Sequence, residues 1–161
     1  MTGRYTSALV LAAIILVSQA ASAAEKKIPI FLNTDSRDTV GTTFIDNLRE
    51  QLKASESYDV VLRQEDAVFV IGVVTIDDSG RSASDPTSTV TSVVLLINNA
   101  DGYDYLLNQW VMSIGRDRTS AVATDLIASI DKDVQEAVRL AVELTNQPSQ
   151  GRTVERRRTI L

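Results

Sequence analysis

The feature that most constrains the fold of this chain is an almost unbroken apolar run over residues 67–76 (AVFVIGVVTI). Its valines and isoleucines are β-branched, which favours a strand, and the lack of polar alternation indicates burial on both faces. Gly72 inside the run predicts either a β-bulge or the close approach of a neighbouring backbone. We therefore predict that this segment is a central strand.

Four further segments have the composition of strands, namely residues 27–33, 58–63, 88–98 and 103–115. The polar stretch at 77–87, which contains Gly80 and Pro86, predicts a flexible hairpin loop. Residues 99–102 have the chemistry of a turn, with Gly102 available for a positive φ. The last two strands are therefore expected to form a hairpin.

Alternation along the last strand predicts two faces. One face is expected to consist of Leu106, Asn108, Trp110, Met112 and Ile114, and the other of Tyr105, Leu107, Gln109, Val111 and Ser113. Because single tryptophans usually bury area, we expect Trp110 to pack in the core beneath a helix, with stacking on a ligand as the alternative.

Two segments have apolar residues at helical spacing. The first, Thr39–Ala54, follows a predicted capping residue, Asp38, and its apolar positions are Val40, Phe44, Ile45, Leu48 and Leu52. The second covers residues 120–145, and its stripe consists of Val122, Leu126, Ile130, Val134, Ala137, Val138, Ala141 and Leu144. We expect this stripe to face the core, with a seam for a partner as the alternative.

These elements predict a single α+β domain over residues 24–148. Its architecture is a mixed sheet of about five strands in the order β-α-β-β-β-β-α, with two helices packed on one face. The other face of the sheet is expected to be partly solvated, as one face of an antiparallel sheet often is.

Residues 1–23 have the pattern of a cleavable signal peptide. A positive residue, Arg4, precedes the apolar run at 8–17, which is shorter than the ~20 residues needed to cross a bilayer. The small residues Ala21 and Ala23 then match the requirement of a signal peptidase. We expect cleavage after Ala23 and export to the periplasm, with an uncleaved anchor as the alternative.

Composition excludes several classes of site. The chain contains no cysteine and no histidine, and its net charge is −5. Disulfides, Cys/His zinc sites and nucleophiles activated by histidine are therefore excluded. A negative balance also argues against binding to nucleic acid, because phosphates require clustered Lys and Arg.

The motifs that remain are weak. Carboxylate pairs occur at 65–66, at 77–78 and at Asp131 with Asp133, but the acidic loop after Ile76 lacks the spacing of a calcium loop. The glycines form neither a phosphate loop nor a dinucleotide fingerprint, and no serine lies in a nucleophile elbow. We accordingly predict no enzyme activity, no metal, no cofactor and no catalytic residue.

The last residues, 149–161, form a basic tail. It carries Arg152, Arg156, Arg157 and Arg158 against the single acid Glu155. A solvated, flexible terminus is one interpretation. The other is an electrostatic contact with anionic lipid headgroups or with an acidic partner.

The order of elements resembles the amino-terminal domain of the Tol-system periplasmic protein. The lipopolysaccharide-assembly lipoprotein of the outer membrane and the curli-secretion lipoprotein are similar in general character. The residues that carry the resemblance are 44–52 (FIDNLREQL), 58–63, 66–76 (DAVFVIGVVTI), the returning hairpin and the final helix. The resemblance implies a fold and the binding of other envelope components, and no functional residue carries over.

We therefore expect a non-enzymatic accessory protein of the cell envelope, periplasmic or associated with the outer membrane. It would bind a protein partner in a secretion, transport or surface-assembly machine, through a strand edge or the exposed sheet face. The second hypothesis is a small-ligand or lipid binder with a pocket near Phe69, Tyr103, Tyr105 and Trp110. The third is a hydrolase built on carboxylates such as Asp77 and Asp78.

Overall fold

The structure is a computed structural model that describes residues 27–77, 87–99 and 104–146. Within these ranges the main elements follow one another as β1 (Ile28–Ser36), α1 (Thr39–Ala54), β2 (Tyr58–Val61), β3 (Phe69–Asp77), β4 (Ser88–Ile97), β5 (Tyr105–Gly115) and α2 (Thr119–Asn146). Short 3₁₀ turns at Gln64–Asp66 and Arg116–Arg118 precede β3 and α2. The predicted α+β class and the order of its elements are confirmed.

The five strands form one mixed sheet in the order β2-β1-β3-β4-β5. β1 pairs in parallel with both β2 and β3, whereas β3, β4 and β5 are antiparallel neighbours. β3 is thus the central strand, as predicted. Both helices pack on one face of the sheet, and we call the other side the open face.

Helix α1 has the bounds and the cap that the sequence predicts. The Asp38 carboxylate accepts a hydrogen bond of 2.6 Å from the backbone N–H of Gly41, which satisfies one of the unpaired donors of the first turn. All five predicted apolar residues are buried, together with Gly41. The helix ends at Ser55, whose extended backbone leads into β2.

Helix α2 packs against α1 and β5 through Ala123, Leu126, Ile130 and Val134. Its predicted stripe faces the core over most of its length. Leu144 is the exception: the prediction placed it in the stripe, but it is 60% exposed because the last turns of this long helix extend past the core. Among the described residues, no helix is both long and apolar enough to span a membrane.

The two predicted faces of β5 are correct only after residue 107. Leu95 pairs with Asn108, but Leu96 pairs with Leu106, so that Leu107 is the extra residue of a β-bulge. The bulge reverses the alternation, which places Leu106 on the open face, opposite to the prediction. Leu107 instead packs against the core.

The central strand also differs from its prediction. Gly72 produces no bulge; it stands opposite Val94, and a Cβ there would lie 2.8 Å from the Val94 Cγ2 atom. Val70, on the open face, is buried as predicted, but Val74 and Ile76 on that face are exposed. Burial on both faces therefore holds only for the first half of β3.

Other predictions fall outside the described residues. These are the signal peptide at 1–23, the basic tail at 149–161, most of the hairpin loop at 77–87 and part of the turn at 99–102. The strand bounds shift by a few residues: β1 continues to Ser36, and β2 ends at Val61.

Candidate functional site

At the end of the sheet where β3 terminates, apolar side chains point away from the core. Strand alternation places Val74, Ile76, Val90 and Val111 on the open face, and they are respectively 45%, 58%, 37% and 68% exposed. We call these four residues the apolar patch. Large apolar side chains that cluster on a surface mark interaction sites more often than side chains that are scattered singly.

The strand register makes the apolar patch continuous. Val74, Ser92 and Val111 form one row across β3, β4 and β5, and Ile76 and Val90 are direct partners in the next row. Opposed side chains lie about 5 Å apart and diagonal ones about 7–8 Å, so Val90 contacts Ile76 directly and has Val74 and Val111 as diagonal neighbours, which makes the patch one surface. The open-face positions of these three strands include no charged residue.

The covered face at the same end of the sheet is polar. Thr75, Thr89 and Thr91 are fully buried there, and Asp38 is only 5% exposed. Thr89 Oγ1 donates to Asp38 Oδ2 at 2.8 Å, while Gly41 N–H donates to Asp38 Oδ1. Both carboxylate oxygens therefore have a partner inside the fold, as a buried acid requires.

A hydroxyl chain extends this network. Thr75 Oγ1 donates to Ser36 Oγ at 2.8 Å, and Ser36 Oγ donates to the carbonyl of Asp38 at 3.1 Å. Thr42 Oγ1 donates to the same carbonyl at 2.9 Å. In contrast, Thr91 Oγ1 is buried without a hydrogen-bond partner. We call Ser36, Asp38, Thr75 and Thr89 the Asp38 network.

The two edges of the sheet are also unlike each other. β2 has only four residues, so the remainder of β1 continues that edge, where Asp35, Arg37 and Asp59 supply charges. β5 spans 11 residues and contains neither a charged residue nor a proline. Charges and short strands protect an edge against pairing with another chain, and β5 lacks both.

A small cleft lies on the helix side, at the start of β1 and β2. It has a volume of about 400 Å³ and is lined by Lys27, Ile28, Glu56, Ser57, Tyr58, Asp131, Val134 and Gln135. Burial raises the pKa of the Tyr58 phenol, and its hydrogen bond to Asp131 raises that pKa further. Asp131 Oδ1 is buried and lacks a hydrogen-bond partner. The ammonium of Lys27 is held by the carbonyl of Ser55 at 2.7 Å.

The structure does not bring the predicted aromatic residues together at this cleft. Phe69 is in the core, Trp110 is half-buried and packs against it as expected, and Tyr105 is exposed at the start of β5. None of these three lines the cleft. Tyr103 lies outside the described residues.

The carboxylate pairs are likewise dispersed. Asp66 is bound by Arg63 at 2.8 Å, and Asp133 accepts from Asn108 at 2.7 Å, on the side of α2 that faces β5. Asp77 ends β3 on the covered face, whereas Asp78 and the four tail arginines (Arg152, Arg156, Arg157 and Arg158) lie outside the described residues. In the described part of the chain, no three Asp or Glu residues are grouped so that they could hold a metal ion.

Sequence reasoning named the exposed sheet face but not the residues of the apolar patch. The available signal was the strand alternation itself. In β3 and β4, the threonines at 75, 89 and 91 alternate with Val74, Ile76 and Val90, and either set alone could have faced the core. Buried threonines are less common than buried valines, so composition alone would favour placing the valines on the covered face.

No protein-family model and no curated protein sequence matches the chain. Several solved structures show low similarity to the chain, and three of them illustrate its extent. A hypothetical protein from Chlamydia trachomatis is 11% identical, with 55% of this chain and 72% of that chain covered and a TM-score of 0.36. An uncharacterized lipoprotein B from Nitrosomonas europaea is 14% identical, with 75% and 86% covered and a TM-score of 0.33.

The third structure is that of a protein from Helicobacter pylori named as a neuraminyllactose-binding hemagglutinin homologue. It is 11% identical, covers 76% of this chain and 95% of its own, and has a TM-score of 0.36. With TM-scores and identities this low, none of the three structures indicates what this chain binds.

Proposed function

We propose that this chain is an exported, non-enzymatic protein of the cell envelope that binds a protein partner over the apolar patch. The observation that carries the proposal is the exposure of Val74, Ile76, Val90 and Val111 on a sheet face without charge. The pattern of residues 1–23 supports export.

The energetics favour a partner over permanent solvation. Burying a valine or isoleucine side chain that was fully exposed contributes about 1.5–3 kcal/mol, and the patch has four such residues that are partly exposed. A partner that covers them gains a share of this energy without displacing any charged group from the patch. An interface core of this kind is typically depleted in charge, whereas the rim is polar.

A protein partner fits this surface better than a soluble small ligand does. The patch lies on a sheet rather than in a concave pocket, and pockets for small molecules are concave and bury most of the ligand. The cleft at Tyr58 is concave, but it is small and its lining includes the exposed charged residues Lys27 and Glu56. The apolar patch is therefore the stronger candidate.

The test is co-purification of the tagged protein from envelope extracts after brief chemical cross-linking. Ile76→Lys and Val90→Lys place a charge within the apolar patch, and Leu62→Lys makes the same change at a side chain that is 93% exposed elsewhere. We expect a partner in stoichiometric amount with the unmodified protein and with Leu62→Lys. Recovery should fall at least about tenfold with either patch variant, since a charge must then be buried.

Two results would contradict the proposal. One is that no protein is recovered in stoichiometric amount under any condition. The other is that Ile76→Lys and Val90→Lys, shown by circular dichroism to be folded, recover the partner as well as Leu62→Lys does. In that case the contact lies elsewhere on the molecule.

A further inference from the structure

The outer edge of β5 has the chemistry to pair with a strand of its own sequence. β5 is the last strand of the sheet, and none of the described strands pairs with its outer side. In this it differs from the β1–β2 edge, which is short and carries Asp35 and Asp59. An edge that is long and uncharged presents a ready template for another strand.

The hydrogen-bond pattern identifies which backbone groups face outward. The Arg116 N–H donates to the Thr87 carbonyl at 2.9 Å, and hydrogen-bonded pairs recur at every second residue of an antiparallel ladder. Ile114, Met112 and Trp110 therefore bond to β4. The backbone N–H and C=O groups of Ser113 and Val111 point away from it.

A second contact agrees with this assignment. The N–H of Gln109, the next residue in the outward series, donates to the Asn108 Oδ1 atom at 2.7 Å rather than to a carbonyl of β4. The bulge at Leu107 ends regular pairing just before this point. The stretch of β5 that is available for a new strand is thus residues 108–115, with its middle near Met112.

We propose that a second copy of this chain pairs with β5, antiparallel and about a two-fold axis near Met112. A two-fold contact places a surface against itself, so any charge near the axis would meet its own copy. β5 has no charge to be repelled in this way. The outward N–H and C=O groups of Val111 and Ser113 would bond to those of the other copy.

This geometry leaves the apolar patch available. A two-fold axis perpendicular to the sheet keeps the open faces of both copies on the same side. Val111 of each copy then lies beside the axis, and the two apolar patches join into one surface of twice the area. The pairing thus goes beyond the proposed function, because it would give a partner a bivalent surface.

The size of the contact sets its strength. Eight residues of strand extend roughly 27 Å, and a strip of one strand spacing covers on the order of 130 Å² of projected area. Stable interfaces bury about 800 Å² per partner. The pairing is therefore reversible, and we expect the purified protein to dimerise between about 10 µM and 1 mM.

The absence of cysteine gives a direct test, since an introduced cysteine can react only with that of another copy. A bis-maleimide that reaches about 8 Å spans directly opposed and diagonal positions across the new strand pair. Val111→Cys should give a cross-linked dimer. Ile76→Cys, on β3, would lie about five strand spacings from its copy, roughly 24 Å, and should give none.

Edge variants complete the test in the Val111→Cys background. Ser113→Pro removes an outward N–H without breaking the ladder to β4, and Ser113→Lys adds a charge beside the axis. Each should lower the cross-linking yield at least about fivefold, while cooperative thermal unfolding shows that the variant is folded. If Ser113→Pro does not fold, the result with Ser113→Lys tests the pairing.

Three outcomes would overturn the pairing: no dimer from Val111→Cys at about 1 mM protein, an equal yield from Ile76→Cys, or yields that neither edge variant changes. If the protein is monomeric but still recovers a partner through the apolar patch, then only the proposed pairing is wrong. If the protein forms the dimer but recovers no partner, then only the proposed function is wrong.

Discussion

The covered and open faces of the sheet differ most where β3 ends. There the covered face carries polar residues and the open face carries apolar ones, which is the reverse of the usual distribution. On the covered face Thr75 and Thr89 are buried beside Asp38, and on the open face Val74 and Ile76 are exposed. The opposite arrangement would bury more apolar area. The residues at this end of the sheet are therefore not the ones that would give the isolated domain its highest stability.

The polar interior is tolerated because it is nearly satisfied. Asp38 caps α1 and accepts a hydrogen bond from Thr89, so that a single carboxylate joins the helix to β4. Such a network costs desolvation, but it fixes one position of the helix over the sheet. The exposed apolar residues of the open face make no comparable contact within the domain, which favours a role in binding a partner.

The largest expected effect compares two isoleucines of β3. Ile71 is fully buried on the covered face, whereas Ile76 is 58% exposed on the open face. Ile71→Ala should lower the free energy of unfolding by about 3 kcal/mol, because it removes buried methyl groups and leaves a cavity. Ile76→Ala should change it by no more than about 1 kcal/mol. Urea denaturation of the purified protein measures both.

The comparison of the faces depends on the difference between these two values. If Ile76→Ala costs as much as Ile71→Ala in dilute, monomeric protein, then the patch is already covered within the chain. The surface that we assign to a partner would then be part of the domain's own core.

The second prediction compares two glycines. A methyl group on Gly41 would overlap the Thr75 side chain beneath α1 and would lie 2.9 Å from Asp38 Oδ2. Overpacking costs about 1–3 kcal/mol, and the better helix propensity of alanine returns up to about 1 kcal/mol. Gly41→Ala should therefore destabilise the protein by about 2 kcal/mol.

Gly72, in β3 on the open face, is the matched control. A Cβ there meets a single atom, Val94 Cγ2 at 2.8 Å, which belongs to a partly exposed side chain rather than to the buried interior. Gly72→Ala should shift the urea midpoint by less than half as much as Gly41→Ala does. Equal shifts would mean that the open face is packed as rigidly as the covered one.

The sequence predicts the fold well because its strongest signals are local. The periodicity of α1, the Asp38 cap and the β-branched run of β3 each depend on neighbouring residues, and all three are confirmed. The misassigned features are not local. Burial of both faces of β3 was predicted but fails at Val74 and Ile76, because coverage of the open face depends on the tertiary arrangement. The bulge at Leu107 appears only when β5 is paired with β4, and the exposed end of α2 at Leu144 depends on how far the sheet extends.

The candidate site was predictable only in outline. That one sheet face would be exposed follows from the count of strands and helices. Which residues form the patch does not follow, because threonine and valine are both β-branched and both favour strands. Whether Val90 or Thr89 faces the helices is decided by the position of Asp38, which lies 51 residues away in the chain from Thr89.

The smallest expected effects come from two threonines of β4 on the covered face. Thr89 donates to Asp38, whereas Thr91 Oγ1 is buried without a partner. Thr89→Val should destabilise the protein by about 1.5 kcal/mol, since a buried carboxylate oxygen loses its donor. Thr91→Val should stabilise it by up to about 1 kcal/mol, because an isosteric methyl replaces a hydroxyl that is buried without a hydrogen bond.

The opposite signs make this pair informative about the whole covered face. Both changes have the same chemistry, the same strand and the same burial, and they differ in the hydrogen bonds of the hydroxyl: Thr89 Oγ1 bonds to Asp38 Oδ2 and to the Ile76 carbonyl, and Thr91 Oγ1 to neither. A destabilising Thr91→Val would show that this hydroxyl also has a partner, such as a bound water. The polar interior would then be one continuous network, and its contrast with the apolar patch would be sharper still.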